Sequence, residues 1–97
     1  MLVNREVITK DSSGMERKYI YKITEEVLEG IKEYGIEVIR EDTELGLVTN
    51  NVRSEVKSIS HKKENVSKIL HVLSRNEVSP IHLLDVVEEY IDKSSYI

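Results

Sequence analysis

The stretch Val78-Ser79-Pro80-Ile81-His82-Leu83-Leu84-Asp85-Val86-Val87-Glu88-Glu89-Tyr90-Ile91 constrains this chain most, because several helix-starting signals stand in one register. Ser79 suits an N-cap, where its hydroxyl would accept from an amide of the first turn. Pro80 then falls at the first helical position, where a missing N–H costs nothing. Val78 can reach Leu83 as a hydrophobic staple. Leu84, Val87 and Ile91 follow at spacings of three and four, with Leu83 and Tyr90 widening the stripe, and Asp85, Glu88, Glu89 and Asp92 fall largely on the other side. The expectation is a helix over 79–92 that buries Leu84. It specifies structure and no chemistry.

A second helix precedes it. Ser60 can cap a helix through about Arg75, in which Val66, Ile69, Leu70 and Leu73 follow an unbroken helical period. Asn76 suits a left-handed terminator, and Asn76-Glu77-Val78 is short enough to force a helical hairpin. The tail Lys93-Ser94-Ser95-Tyr96-Ile97 is expected to fray.

The first sixty residues read differently. Val3 to Thr9 is rich in β-branched residues, Lys10-Asp11-Ser12-Ser13-Gly14 is a turn signal, and Tyr19, Tyr21 and Ile23 alternate with Ile20 and Lys22. These features predict an antiparallel hairpin, with Gly14 at positive φ. Thr24 to Asp42 admits two readings. As a helix, Thr24 caps, Val27, Ile31 and Tyr34 share a face, and Gly35 terminates. As strands, Gly30 marks a turn and Tyr34, Ile36 and Val38 share one face; local propensity alone slightly favours the helix. Glu41 to Gly46 reads as an acidic turn, Leu47-Val48 as a short apolar stretch and Asn50-Asn51 as another turn. Val52, Ser54, Val56 and Ser58 then share one strand face; the spacing of Val52, Val56 and Ile59 also fits a helix, and the serines and β-branched residues favour the strand.

Tyr34-Gly35-Ile36-Glu37-Val38, Ser58-Ile59-Ser60 and the run from Asn76 to Tyr90 resemble a family of small uncharacterised proteins of clostridia and related low-GC Gram-positive bacteria. The resemblance runs from about Tyr19 to Asp92, is most specific at Ser79-Pro80-Ile81-His82-Leu83, and leaves Met1 to Lys18 unmatched. It carries no activity or site residue. It implies that Tyr34 to Val38 is extended, which selects the strand reading of Thr24 to Asp42. The expected fold is α+β: an antiparallel β-sheet from N-terminal strands over about 3–59, followed by a C-terminal helical hairpin near 61–75 and 79–92. The hairpin packs on one sheet face, burying Val66, Ile69, Leu70, Leu73, Leu84, Val87 and Ile91 together.

A chain of 97 residues suits a single small domain, 1–97. Without cysteine, disulfides, thiol catalysis and Cys-ligated metal are excluded. The N-terminus lacks the basic and apolar regions of a signal peptide, and no run of about 18 apolar residues suggests a membrane span. The expected compartment is the cytoplasm. A net charge of -4 gives no support to non-specific nucleic-acid binding.

His61, His71 and His82 have no spacing that places two imidazoles on one face, so no metal site is assigned. His82 reads as a half-buried structural histidine, bonded near Ser79 or paired with Asp85 or Glu89. The carboxylates of the last helix read as a solvated face, Ser79-x-x-His82 forms no nucleophile elbow, and no phosphate-binding glycine loop occurs. No catalytic residue, cofactor or small-molecule substrate is therefore expected.

Two function classes stay open. The favoured one is a non-enzymatic cytoplasmic interaction or regulatory module that binds a protein partner or a second copy, through a sheet edge or the helical hairpin. Its candidate residues are Lys62, Lys63, Lys68, His82, Glu88 and Glu89, since the first helix is basic outside and the second acidic. The tyrosines Tyr19, Tyr21, Tyr34, Tyr90 and Tyr96 either serve that interface or cover the sheet. The alternative is a nucleic-acid-associated regulator using the basic helix 61–75. Acidic residues on the second helix oppose groove insertion.

Overall fold

The computed structural model describes residues 4–10 and 14–95. Four antiparallel strands follow one another as a meander: β1 (Asn4–Lys10), β2 (Met15–Leu28), β3 (Ile31–Glu44) and β4 (Leu47–Ser60), in the spatial order of the sequence. The helix α1 (Lys63–Arg75), a 3-10 turn (Pro80–His82) and the helix α2 (Leu83–Ser95) complete the chain. The fold is α+β, with the sheet first and the helices after it, as the sequence pattern and the family resemblance together imply.

Thr24 to Asp42 is strand throughout, apart from one tight turn. The β2–β3 and β3–β4 hairpins are closed by the same device, a two-residue loop with both residues at positive φ: Glu29 (51°) with Gly30 (80°), and Leu45 (52°) with Gly46 (80°). This backbone matches the twist of the flanking strands, and glycine at the second position relieves half the strain. The acidic turn expected over 41–46 is thereby reduced to Leu45-Gly46, and Glu41 to Glu44 stay in β3. Asn50-Asn51 is not a turn either. Both residues lie in β4, where their amides reach the Asp42 and Glu41 carboxylates across the strand pair (3.4 and 3.5 Å). A bulge between Asp42 and Thr43 absorbs the extra residue of β4.

A second irregularity lies between Tyr34 and Ile36, opposite Ser60 and Val56. Ser58 sits there at φ 55°, so it does not continue the face shared by Val52, Ser54 and Val56. Gly35 explains the tightness of this corner. A Cβ on it would meet the Val56 carbonyl oxygen, with Thr24 Oγ1 at 2.9 Å and Lys57 Cα at 3.0 Å.

One sheet face carries Tyr19, Tyr21, Ile23, Ile36 and Val38, which form a single buried cluster with Val66, Ile69, Leu70 and Leu73 of α1 and Leu83 and Val87 of α2. The period read in α1 is the period that packs. In the last helix Val87 is buried as expected, and Tyr90 packs at the margin of the core. Leu84 is the exception: it is 51% exposed, and its neighbour Leu83 is fully buried in its place. Pro80, buried in the 3-10 turn one turn earlier, shares the face of Leu83 and starts the buried stripe there. Ile91 lies outside the residues whose side chains are described.

The caps also differ from expectation. Ser79 is extended (φ -73°, ψ 153°) and makes no side-chain cap bond; its Oγ is buried without a hydrogen-bond partner. Ser60 remains in β4, yet its Oγ accepts from the Lys62 N–H at 3.0 Å, so it closes the entrance to α1 from outside the helix. At the other end of α1 the left-handed residue is Glu77 (φ 51°), not Asn76 (φ -99°). The Val78 N–H bonds to the Leu73 carbonyl and the Glu77 N–H to the Ser74 carbonyl (3.0 and 3.3 Å), a Schellman closure that places the left-handed residue one beyond Asn76. Asn76 instead caps sideways, its amide donating to the Val72 carbonyl at 2.8 Å. The tail expected to fray from Lys93 is helical through Ser95; Tyr96 and Ile97 lie outside the described residues.

Leu83→Ala is expected to cost about 2–5 kcal/mol and Leu84→Ala no more than about 0.5 kcal/mol in urea denaturation. Ser79→Ala is expected to be neutral or slightly stabilising, because it removes an unpaired buried hydroxyl and breaks no cap.

Candidate interaction surface

Strands of 14 residues extend about 46 Å at about 3.3 Å per residue, whereas a helix of 13 residues covers only about 20 Å. The longest dimension of the molecule is 46 Å. The helices therefore cannot cap the whole sheet. Val27, Leu28 and Ile31 at one hairpin tip, and Leu45, Leu47 and Val48 at the other, are left exposed. Near the second tip, the helix-bearing face ends in a polar network. Asp42 is 6% exposed and receives Arg40 Nη2 at 3.2 Å, with Arg17 Nε at 3.8 Å.

The meander leaves β1 and β4 as its two edges. Along β4 runs a shallow groove lined by Val52, Arg53, Ser54, Pro80, Ile81 and Leu84. Its outer wall is built from the middle of the sheet. Tyr21 is fully buried and donates from its hydroxyl to the Val78 carbonyl at 3.0 Å, fixing the turn after α1 over the sheet. Pro80 is buried next, and the His82 N–H closes on the Ser79 carbonyl at 3.0 Å. Ile81, 71% exposed, and Leu84 lie off the stripe that buries Leu83 and Val87, and they face outward. Two aliphatic side chains thus stand beside a sheet edge.

The six residues singled out from sequence are divided between two flanks. Lys62 is exposed at the start of α1, and Lys63 is half-buried. Lys68 lines a second groove with Arg5, Glu64, Ser67, His71 and Val72, against the β1 side. His82 lies in the 3-10 turn on the β4 side; it is exposed, not half-buried, and Pro80 and Leu83 fill the positions that steady the turn. Glu88 and Glu89 are exposed on α2. Tyr19 and Tyr21 are buried in the core with rings stacked 6.3 Å apart, and Tyr34 and Tyr90 pack against it, so these four cover the sheet; Tyr96 lies outside the described residues. Ile81, Leu84 and Arg53, which line the groove along β4, are not among those six. Ile81 and Leu84 stand three apart and off the buried stripe, a signal that becomes visible only once the 3-10 turn is known.

Among the described residues, no group of three His, Asp or Glu side chains is placed to hold a metal ion, and no helix is long and apolar enough to cross a membrane. A model for a family of unknown function (DUF6514) matches residues 1–93. That match takes in the N-terminal segment outside the Tyr19–Asp92 resemblance. Neither the curated proteins nor the solved structures give a significant match.

The Tyr21 hydroxyl is held well above the ordinary tyrosine range, first by burial and then by the neighbouring Tyr19 and Glu77. It stays a neutral donor wherever an ordinary tyrosine would. Its folded pKa is raised, so its contribution to stability is complete below about pH 10 and is lost as pH climbs above that value, where the unfolded chain ionises first. Urea denaturation of the wild type and Tyr21→Phe is expected to give a stability difference that is level to about pH 10 and then shrinks. Parallel curves to higher pH would contradict this assignment.

Proposed function

We propose, from the premise that this chain belongs to the DUF6514 family of unknown function, that it is a non-enzymatic interaction module, binding protein through the β4 edge and the turn beside it. The observation that carries this reading is the exposure of Ile81 and Leu84 next to β4, an edge strand that pairs only with β3 among the described residues. Exposed aliphatic side chains are common singly. Here two of them wall a groove beside a strand edge with no neighbouring strand among the described residues, a geometry that recognises an extended segment by strand addition. The exposed side chains of Lys62, Lys68, His82, Glu88 and Glu89 would then select and steer the partner and contribute little to folding. A cytoplasmic setting, and the clostridial and low-GC Gram-positive range that the resemblance implies, belong to the same reading.

The nucleic-acid reading keeps one specific support: Arg5 of β1 joins Lys68 and His71 of α1 in a single groove. The two readings separate in one affinity-capture series with and without nuclease, using wild type, Ile81→Asp with Leu84→Asp, and Lys62→Glu with Lys68→Glu. Lys63 is left unchanged because it is half-buried. The interaction module predicts a partner retained after nuclease, lost in the Ile81/Leu84 variant, with a melting temperature near that of wild type. Retention that requires nucleic acid and is lost only in the lysine variant would establish the alternative instead.

A further inference from the structure

Resting on the reading of β4 as a binding edge, we infer that its partner is a second copy of this chain, paired antiparallel through β4 about a two-fold axis at Ser54. Paired residues in adjacent strands must share a sheet face, so the axis of a symmetric β4 pair passes through a residue. Between its two irregularities β4 is regular from Asn50 to Val56, and its centre reads Val52-Arg53-Ser54-Glu55-Val56. An axis at Ser54 sets Val52 against Val56 on the helix-bearing face and Arg53 against Glu55 on the open face, each twice. An axis at Arg53 would oppose two arginines. One at Glu55 would oppose two glutamates and bring Arg53 onto Lys57. One at Val56 would draw in the bulged residues 57–59. An axis at Val52 brings no opposite charges together. An axis at Val56 would also pair opposite charges, Glu55 with Lys57, so the irregularity after Val56 and the charges together select one register, which is how a long edge is protected from indiscriminate pairing.

The monomer also leaves an electrostatic conflict that this pairing relieves. Glu55 stands directly opposite Glu37 in the β3–β4 ladder. Arg53 reaches Glu37 at 3.7 Å from a diagonal position, and it remains 64% exposed. The second copy's arginine would land opposite Glu55, on the side away from Glu37. Ser54 lies on the axis and also lines the groove with Ile81 and Leu84. The two grooves therefore meet across the axis, and the exposed aliphatic side chains of one copy face those of the other.

The test is the mass and dissociation constant of the purified full chain by analytical ultracentrifugation, for wild type, Arg53→Glu, Glu55→Arg and the two substitutions combined. Wild type is expected to dimerise. Each single variant opposes like charges twice and should weaken the dimer by about tenfold or more. The combined variant restores opposite charges and should recover it, as should an equimolar mixture of the two single variants, which oppose unlike charges only when paired with each other. Thermal melts identify any variant whose fold is damaged, and the mixture provides the rescue without a third sequence. A wild type that is monomeric up to about 1 mM, or single variants that dimerise as well as wild type, would overturn the inference. A monomer that still loses its captured partner in the Ile81/Leu84 variant would leave the interaction module standing and exclude only self-pairing.

Discussion

The hydrogen bond from Tyr21 to the Val78 carbonyl joins the centre of the sheet to the turn between the helices, and much of the surface depends on it. A tyrosine is long enough to cross the apolar layer and end at the backbone beyond it. Its ring packs with Ile23, Ile36 and Val38 from the sheet and with Leu70 and Leu73 from α1 in one cluster. Its hydroxyl then meets a carbonyl that has just left the Schellman closure of α1. A buried phenol without an acceptor would cost about 1–3 kcal/mol, and so would the carbonyl without its donor, so each holds the other in place. From that point Ser79 extends, Pro80 is buried, and Ile81 is turned outward. The exposed groove is thus a consequence of core geometry.

Length mismatch is the second constraint. Three strands of 14 residues outrun helices of 13, so the sheet must be finished by other means at its ends. At one end of the helix-bearing face the Arg17–Arg40–Asp42 network takes over from the aliphatic core. Lys18 pairs with Glu6 at 3.8 Å on the open face, and Lys32 pairs with Glu25 at 3.4 Å on the helix-bearing face near the β2–β3 turn, beyond the reach of the helices; such exposed pairs contribute little stability. The same length makes β4 an extended edge. Its charges at Arg53 and Glu55 therefore matter beyond solubility.

The residues differ in how plainly they announced these outcomes. Val66, Ile69, Leu70 and Leu73 form an ordinary α-helical stripe, with nothing upstream to disturb its phase, and they pack as read. Leu83 and Leu84 are adjacent leucines that both fit a stripe through Val87, and only their packing partners decide that Leu83 is the buried one. Ser79 has the composition of an N-cap, but its extended backbone leads into a 3-10 turn and its Oγ makes no cap bond. Thr24 to Asp42 was ambiguous because its glutamates suit a helix or a solvated strand face, and cross-strand partners far away in sequence decide between them. Asn50 and Asn51 have turn composition, yet the carboxylates of Glu41 and Asp42 opposite them give their amides partners in the ladder. The candidate surface was the least legible part. The charge symmetry about Ser54 acquires meaning only when β4 is known to be an edge.

Hydrogen exchange in Tyr21→Phe tests most directly whether the Tyr21 anchor sets the surface beside β4. The variant keeps the ring and removes one hydroxyl. Protection is expected to fall selectively at the amides of Val78 and His82, which close the turn, while the paired amides of Ile36 to Ile39 in the sheet retain theirs. Equal loss across sheet and turn, or unchanged protection at Val78 and His82, would contradict the account.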